Sequence, residues 1–441
     1  MERALQKIDS FTYMNAHPVQ HYRMDNGLDV LLAYNPISPV AAYLTHYTVG
    51  SALEGEGERG LAHFFEHMMF RETERLKDGD FDRVMAEVGG VGLNAFTSYD
   101  TTAYHVNVPV AQLVRVIELE SDRMVNLRLS PELIEIERGA VLGEMNMYKD
   151  MPSEQHWNTL MAEAFPRHPY RHPIIGYMEQ VRAFDNEDFA RFYHAHYAPN
   201  RAVVVVAGGF DENGLLGDLE RAYGGLSPGL ARPASAPADP AWSASRRVEV
   251  HHDKISADNL MLTWRTPGVL HPDLPALLLL GAVLSAGQSS PLYRAIVSAG
   301  LGTHASAFAM EAEMYLASPA LFLVDVALQQ DVPAERAEEA VLGVLTGLHR
   351  DGIAPEHLER ALNQIRLGTY GSLRSNMSVA RQIGGFAVAC GDPRFGERLL
   401  HAVERVTREQ ALDALQRYLI AAPRLAVVQR PAAGADVGGA A

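Results

Sequence analysis

The sequence predicts an α+β fold made of two copies of one α/β-sandwich-like domain, each an antiparallel sheet backed by helices, and three observations carry that expectation. First, Ile37-Ser-Pro-Val-Ala-Ala-Tyr-Leu-Thr, running on to Gly50, is echoed by Ile255-Ser-Ala-Asp-Asn-Leu-Met-Leu-Thr, running on to Gly268, at an offset of 218 positions. Ser130-Pro131-Glu132 and the helix it opens are echoed by Ala354-Pro355-Glu356 and theirs, at an offset of 224; self-similarity at a near-constant spacing is the mark of a repeated unit. Second, Gly224 to Arg246 has the Pro, Ala, Ser and Gly content of a connecting segment. Third, 441 residues at 47% hydrophobic can bury more than one core. The expected organisation is an N-terminal domain over 1–223, a linker over 224–246 and a homologous C-terminal domain over 247–441.

Within the first copy, Asn26-Gly27 between Tyr22-Arg-Met and Leu28-Asp-Val-Leu-Leu-Ala is a hairpin turn signal. Val40 to Val49 reads as the next strand. Helices are expected at about 59–72, 78–88, 110–128 and 131–149, with short strands near 93–98 and 103–109 between them. The last helix has the clearest start, Ser130-Pro131-Glu132, since proline suits the first helical position.

The chemistry is concentrated in Gly60-Leu-Ala-His63-Phe-Phe-Glu66-His67, which sets two imidazoles and a carboxylate at H-x-x-E-H spacing. On a helix, side chains four apart lie one turn above each other, so His63 and His67 can grip one ion at about 2.0–2.1 Å. Glu66 then lies beside the ion rather than on it, where a carboxylate can take a proton from a water activated by the metal. A third ligand is required. Glu137 and Glu144 share one face of the helix after Ser130, two turns apart, and either could reach the ion.

With these residues the chain resembles the inverted-zincin peptidases of family M16, the pitrilysin and mitochondrial-processing-peptidase type. That pattern places a glutamate ligand 77 positions after the second histidine, which is Glu144, and a further acidic residue seven before it, which is Glu137. The flanks are similar too: Gly50-Ser51, Glu54, Leu93-Asn94-Ala95-Phe96-Thr97, His168-Pro-Tyr170, Gly176, and Tyr197-Ala-Pro-Asn200 before a Val-rich strand ending at Gly208.

The resemblance implies a zinc metallopeptidase with one Zn²⁺ per chain held by His63, His67 and Glu144, Glu66 as general base, and Glu137 as hydrogen-bonding partner of a ligand imidazole. It implies two lobes forming half of a clamshell, and an edge strand, Asn94, Ala95, Phe96 and Thr97, to which the peptide backbone adds. In many such proteins the second lobe carries an Arg and a Tyr that contact the peptide. Here the matching segment, Leu292 to His304, has Val297 and Thr303 at those places, with Arg294, Tyr293 and His304 nearby. The expectation is therefore a zinc-bearing subunit whose homologous partner subunit supplies the Arg/Tyr pair. The alternatives are a self-sufficient homodimeric peptidase, or a silent structural or peptide-binding subunit. In the second copy the helix counterpart, Leu274-Pro-Ala-Leu-Leu-Leu-Leu-Gly-Ala-Val, carries no ligand, and Gly368 stands where Glu144 stands in the first.

Composition bounds the rest. With 38 basic against 54 acidic residues, net −16, the chain is not built to bind nucleic acid. Gly89-Gly90-Val-Gly92 lacks the strand and helix context of a phosphate loop. The longest apolar run, Pro275 to Leu284, is too short to span a bilayer, and the N-terminal residues contain no apolar segment of the secretory kind. A single cysteine, Cys390, excludes an internal disulfide framework. These features together predict a cytoplasmic protein without a membrane partner; that it acts on peptides is what the resemblance implies.

Overall fold

The computed structural model describes residues 5–229, 237–310 and 320–432, so the stretch 230–236 of the expected linker lies outside the described residues. Its strands are β1 (Leu5–Tyr13), β2 (His17–Met24), β3 (Asp29–Tyr34), β4 (Val40–Tyr47), β5 (Val91–Thr97), β6 (Thr102–Pro109), β7 (Ala202–Gly208), β8 (Arg246–His252), β9 (Asn259–Thr266), β10 (Gly302–Ala309), β11 (Ala320–Leu328) and β12 (Arg424–Pro431). The described α-helices are α1 (Leu61–Met68), α2 (Asp80–Glu87), α3 (Leu113–Val125), α4 (Pro131–Lys149), α5 (Pro152–Ala164), α6 (Met178–Ala183), α7 (Asn186–His196), α8 (Glu212–Tyr223), α9 (Leu274–Ser285), α10 (Ala334–Asp351), α11 (Pro355–Ser372), α12 (Asn376–Cys390), α13 (Phe395–Glu404) and α14 (Arg408–Ala414).

The protein is α+β with two sheets, as the repeat implied. One has seven strands in the order β1-β2-β3-β7-β4-β6-β5; the other has five, ordered β10-β11-β9-β12-β8. Neither is purely antiparallel, since β7 runs parallel to β3 and β12 runs parallel to β8. β7, Ala-Val-Val-Val-Val-Ala-Gly, is buried throughout. A continuous β-branched run suits a strand covered on both faces.

The contacts gather into two compact units that interleave along the chain. The first comprises Met1–Met147, His172–Pro237 and Tyr370–Glu397; the second comprises Tyr148–Arg171, Ala238–Thr369 and Arg398–Ala441. Relative to the expected halves 1–223 and 247–441, two segments change sides, and packing explains both. α12 buries Val379, Ala380, Ile383 and Phe386 and lies on β3, β4 and β7 of the seven-stranded sheet. α5 packs on β12, where His156 Nε2 meets the Val427 carbonyl at 2.9 Å and Gln429 donates to the Pro152 carbonyl at 2.7 Å.

Local chemistry accounts for the elements of the first unit. Gly27, at φ +88°, turns β2 into β3, and Asn26 anchors the turn by donating to the Tyr223 and Leu226 carbonyls. α4 starts at Pro131 as its capping sequence requires. α1 is shorter than the 59–72 expected, because the left-handed Gly60 at φ +106° opens it and it gives way to a turn after Met68. In the second unit, α9 buries Leu274, Leu277, Leu280 and Leu284 and packs on β10, so the counterpart of the histidine-bearing helix is apolar core. Among the described residues no helix is long and apolar enough to cross a membrane.

Candidate metal centre

α1 is fixed at both ends before any metal is considered. At its start, a Cβ on Gly60 would stand 2.7 Å from the Ile175 carbonyl oxygen, and one on Gly176 would stand 2.2 Å from that of Arg59. Only glycines allow the two loops to cross so closely. The buried Glu54 carboxylate then caps the helix, accepting from the Gly60 amide at 3.0 Å and the Ala62 amide at 2.8 Å. Burial pushes this carboxyl up, to about 8, against the pull of those two amides. At the other end, Arg123, fully buried and paired with Glu120 at 2.6 Å, donates to the Met69 carbonyl. Its guanidinium sits 4.6 Å from the ring centroids of both Phe81 and Tyr104. Phe64 and Phe65 bury the back of α1 against Phe189, Phe192 and Tyr193 of α7. Burying two such rings is worth about 1.5–3 kcal/mol each. That packing leaves His63, Glu66 and His67 on the opposite side.

α4 brings its carboxylates to that side. Glu144 Oε2 lies 3.6 Å from His63 Nε2 and 3.4 Å from His67 Nε2. Two atoms each about 2.1 Å from a tetrahedral zinc ion are themselves about 3.4 Å apart. The two nitrogens and the oxygen therefore fit one ion, and the donor set is one that zinc accepts. Among the described residues this is the one group of three metal-ligating side chains so arranged. Glu137, 3% exposed, reaches His67 Nδ1 at 3.1 Å and also accepts from Arg71. The contact fixes the proton of His67 on Nδ1 and leaves Nε2 free to bind. His63 is neutral at ordinary pH: burial, followed by the neighbouring His67, lowers its pKa to about 4 against the pull of Glu144.

Glu66 stands beside the triad and not in it. Its Oε2 accepts from Thr97 Oγ1 at 2.7 Å, and burial raises its carboxyl above the usual range despite that bond. A cavity of about 320 Å³ opens here, lined by Glu66, His67, Arg71, Asn94 and Glu137 among others. β5 forms the last strand of its sheet. Thr97 faces Glu66, Ala95 is buried, Asn94 is exposed at the cavity with its Oδ1 on the Ala95 amide, and Phe96 lies on the opposite face toward His46.

The Leu292–His304 segment lies in the second unit. Val297 sits in a π turn spanning Tyr293–Ser298, Thr303 lies exposed at the start of β10, and Arg294 is exposed. The histidines outside the triad behave as core or surface: His156 and His196 are buried, with His196 against the Phe192 ring. The sequence reading did not single out Thr97 as the partner of Glu66, Glu54 as a helix cap or Arg123 as an anchor. Only the capping position of Glu54, six residues before the helix-opening glycine, left a local trace.

Replacing Glu137 by Gln removes the anion that orients His67 while preserving shape. Zinc affinity, measured by competition with a fluorescent chelator, is expected to fall about 10- to 100-fold; an unchanged affinity would show that the His67–Glu137 contact does not contribute to metal binding.

Comparison with known proteins gives a consistent picture. The family model described as Insulinase (Peptidase family M16) matches residues 29–177, and the one described as Peptidase M16 inactive domain matches residues 183–365. An uncharacterized zinc protease of Mycobacterium tuberculosis is 28% identical over 403 residues, covering 90% of each chain. The mitochondrial-processing peptidase subunit beta of Mus musculus is 28% identical over 271 residues, 62% of this chain and 55% of that one. Among solved structures, a protease from Helicobacter pylori superposes with a TM-score of 0.85 at 23% identity, over 97% of this chain and 99% of the other.

Proposed function

The chain belongs to the M16 family of peptidases, and on that premise we propose that it is a zinc metalloendopeptidase subunit whose His63, His67 and Glu144 hold one Zn²⁺ and whose Glu66 is the general base. The observation that carries the proposal is the convergence of one ligand atom each from His63, His67 and Glu144 to within 4.8 Å of one another, with Glu144 Oε2 3.4–3.6 Å from the two imidazole nitrogens and the Glu66 carboxylate beside them.

When bound, the ion supplies a Lewis acid for the scissile carbonyl and lowers the pKa of a water to about 7. The protein's own residues do the rest. Thr97 holds one Glu66 oxygen, leaving the other to take the proton of the attacking water and return it to the leaving amine. The raised carboxyl of Glu66 makes it a better base. Glu137 keeps the His67 ring turned to the ion. The outer edge of β5, the last strand of its sheet among the described residues, receives the peptide backbone as an added strand, a mode that reads extended shape more than sequence.

The proposal includes a homologous partner subunit that supplies the Arg/Tyr pair, since Val297 and Thr303 occupy those places here. Hydrolysis of a quenched fluorescent peptide library by the zinc-loaded chain, alone and with a homologous chain that has the pair and lacks the metal motif, tests it. Turnover is expected to rise at least about tenfold on mixing, in the range a positioned binding contact provides. Equal rates would favour a self-sufficient homodimer.

A further inference from the structure

The edge strand β5 is held from behind by one side chain that the peptidase mechanism does not use. Arg381, on α12 and 276 positions from its partner, donates from Nη2 to His105 Nε2 at 2.6 Å. Its guanidinium also lies 5.2 Å from the centroid of the Phe96 ring. Arginine can only donate, so His105 must be the neutral tautomer with its proton on Nδ1. His105 is paired across the strands with Asn94, the residue that closes the bulge breaking the β5–β6 register between Val91 and Asn94. Burial and the adjacent guanidinium keep His105 neutral, lowering its pKa to about 4. One guanidinium thus touches both ends of β5: the bulge through His105, and Phe96 directly. The next residue, Thr97, holds Glu66 on the other face of the sheet.

We propose that Arg381 is a positioning residue, which fixes the register and order of β5 for peptide docking. The kinetic part of this inference rests on the peptidase reading given above; the structural part does not. α12 does not depend on Arg381 for its own seat. Asn376 bonds the Ser38 hydroxyl and the Val40 carbonyl, Gln382 accepts from the Tyr13 hydroxyl, and a Cβ on Gly384 would come within 2.6 Å of the His46 ring. Much of the Arg381 side chain is exposed, so its removal leaves no buried hole. An edge strand with one neighbour has few other restraints.

The test compares Arg381→Met, which keeps the aliphatic stem, with Arg381→Lys, which keeps a donor and a cation over Phe96. Two readouts are used on the full chain in its active assembly: steady-state kinetics and amide hydrogen exchange. For Arg381→Met, KM is expected to rise about three- to tenfold with kcat within about twofold, a split that marks lost ground-state binding. Exchange over residues 91–97 should quicken by a similar factor, with the other strands and Tm unchanged. Arg381→Lys should recover most of both. Unchanged exchange at β5 in a folded Arg381→Met variant overturns the inference. So does faster exchange spread over the whole sheet with a lower Tm, which would make Arg381 an ordinary stabilising contact. If the wild-type assembly cleaves no peptide, the peptidase reading fails, and exchange at β5 alone decides whether Arg381 holds the strand.

Discussion

Replacing Glu66 by Gln is expected to abolish peptide turnover while leaving both zinc and peptide bound. The amide keeps the volume of the carboxylate and can still accept from the Thr97 hydroxyl, so the cavity and the strand beyond it are unperturbed. What disappears is basicity. An amide cannot take a proton from water, and a positioned general base contributes about 10²- to 10⁴-fold. His63, His67 and Glu144 are untouched, so metal content measured by atomic absorption should equal that of the wild type. Labelled peptides should bind with unchanged anisotropy titrations. The outcome separates two kinds of protein: a zinc-dependent peptide-binding module has no turnover to lose, whereas an enzyme loses nearly all of it. Activity within about tenfold of wild type would remove Glu66 from the role of base and transfer the question to another carboxylate.

How much of this arrangement was legible in the sequence follows from the range over which each piece of information acts. The candidate ligands were legible in pairs because each pair is local: one helical turn separates His63 from His67, and two turns separate Glu137 from Glu144, whereas the choice of Glu144 over Glu137 came from the family resemblance and not from spacing. The start of α4 was legible because Ser130-Pro131-Glu132 encodes it within three residues. The Asn26-Gly27 turn was legible for the same reason, since φ +88° at Gly27 is a demand few other residues meet.

What escaped was set by tertiary packing. The pairing of Thr97 with Glu66 joins a strand to a helix 31 positions away. The seat of α12 on the first sheet, and the reach of Arg381 to His105, depend on a chain that returns from the far side of the linker. Arg123 falls inside the helix expected over 110–128, where nothing local in the sequence marks it out. Its full burial against Glu120, Phe81 and Tyr104 emerges only when α2, α3 and β6 meet. The early end of α1 has a similar cause, because the loop after Met68 is held by Arg123 at the Met69 carbonyl rather than by further helical turns.

Zinc should stabilise the folded chain strongly, and Glu144→Ala should erase that effect without unfolding the metal-free protein. The three ligands come from two helices, α1 and α4, so a bound ion cross-links elements that the unfolded chain leaves far apart. A ligand at about 1,000 times its Kd stabilises the native state by about 4 kcal/mol. For a unit of this size, about 2–4 °C per kcal/mol, that is a rise in Tm of roughly 10 °C, readable by scanning calorimetry of the stripped and reloaded protein. Glu144 is partly exposed and, among the described residues, forms ion pairs with the two ligand histidines alone, so its truncation should cost the metal-free form no more than about 0.5 kcal/mol. Its loss removes the anionic donor and leaves two imidazoles, a pair that many weak surface sites offer. The zinc-dependent shift should therefore shrink to a degree or two in Glu144→Ala while persisting in full in Glu66→Gln. A shift that survived in Glu144→Ala would mean that the ion is held by other groups, and the triad built on α1 and α4 would no longer explain the chemistry of this fold.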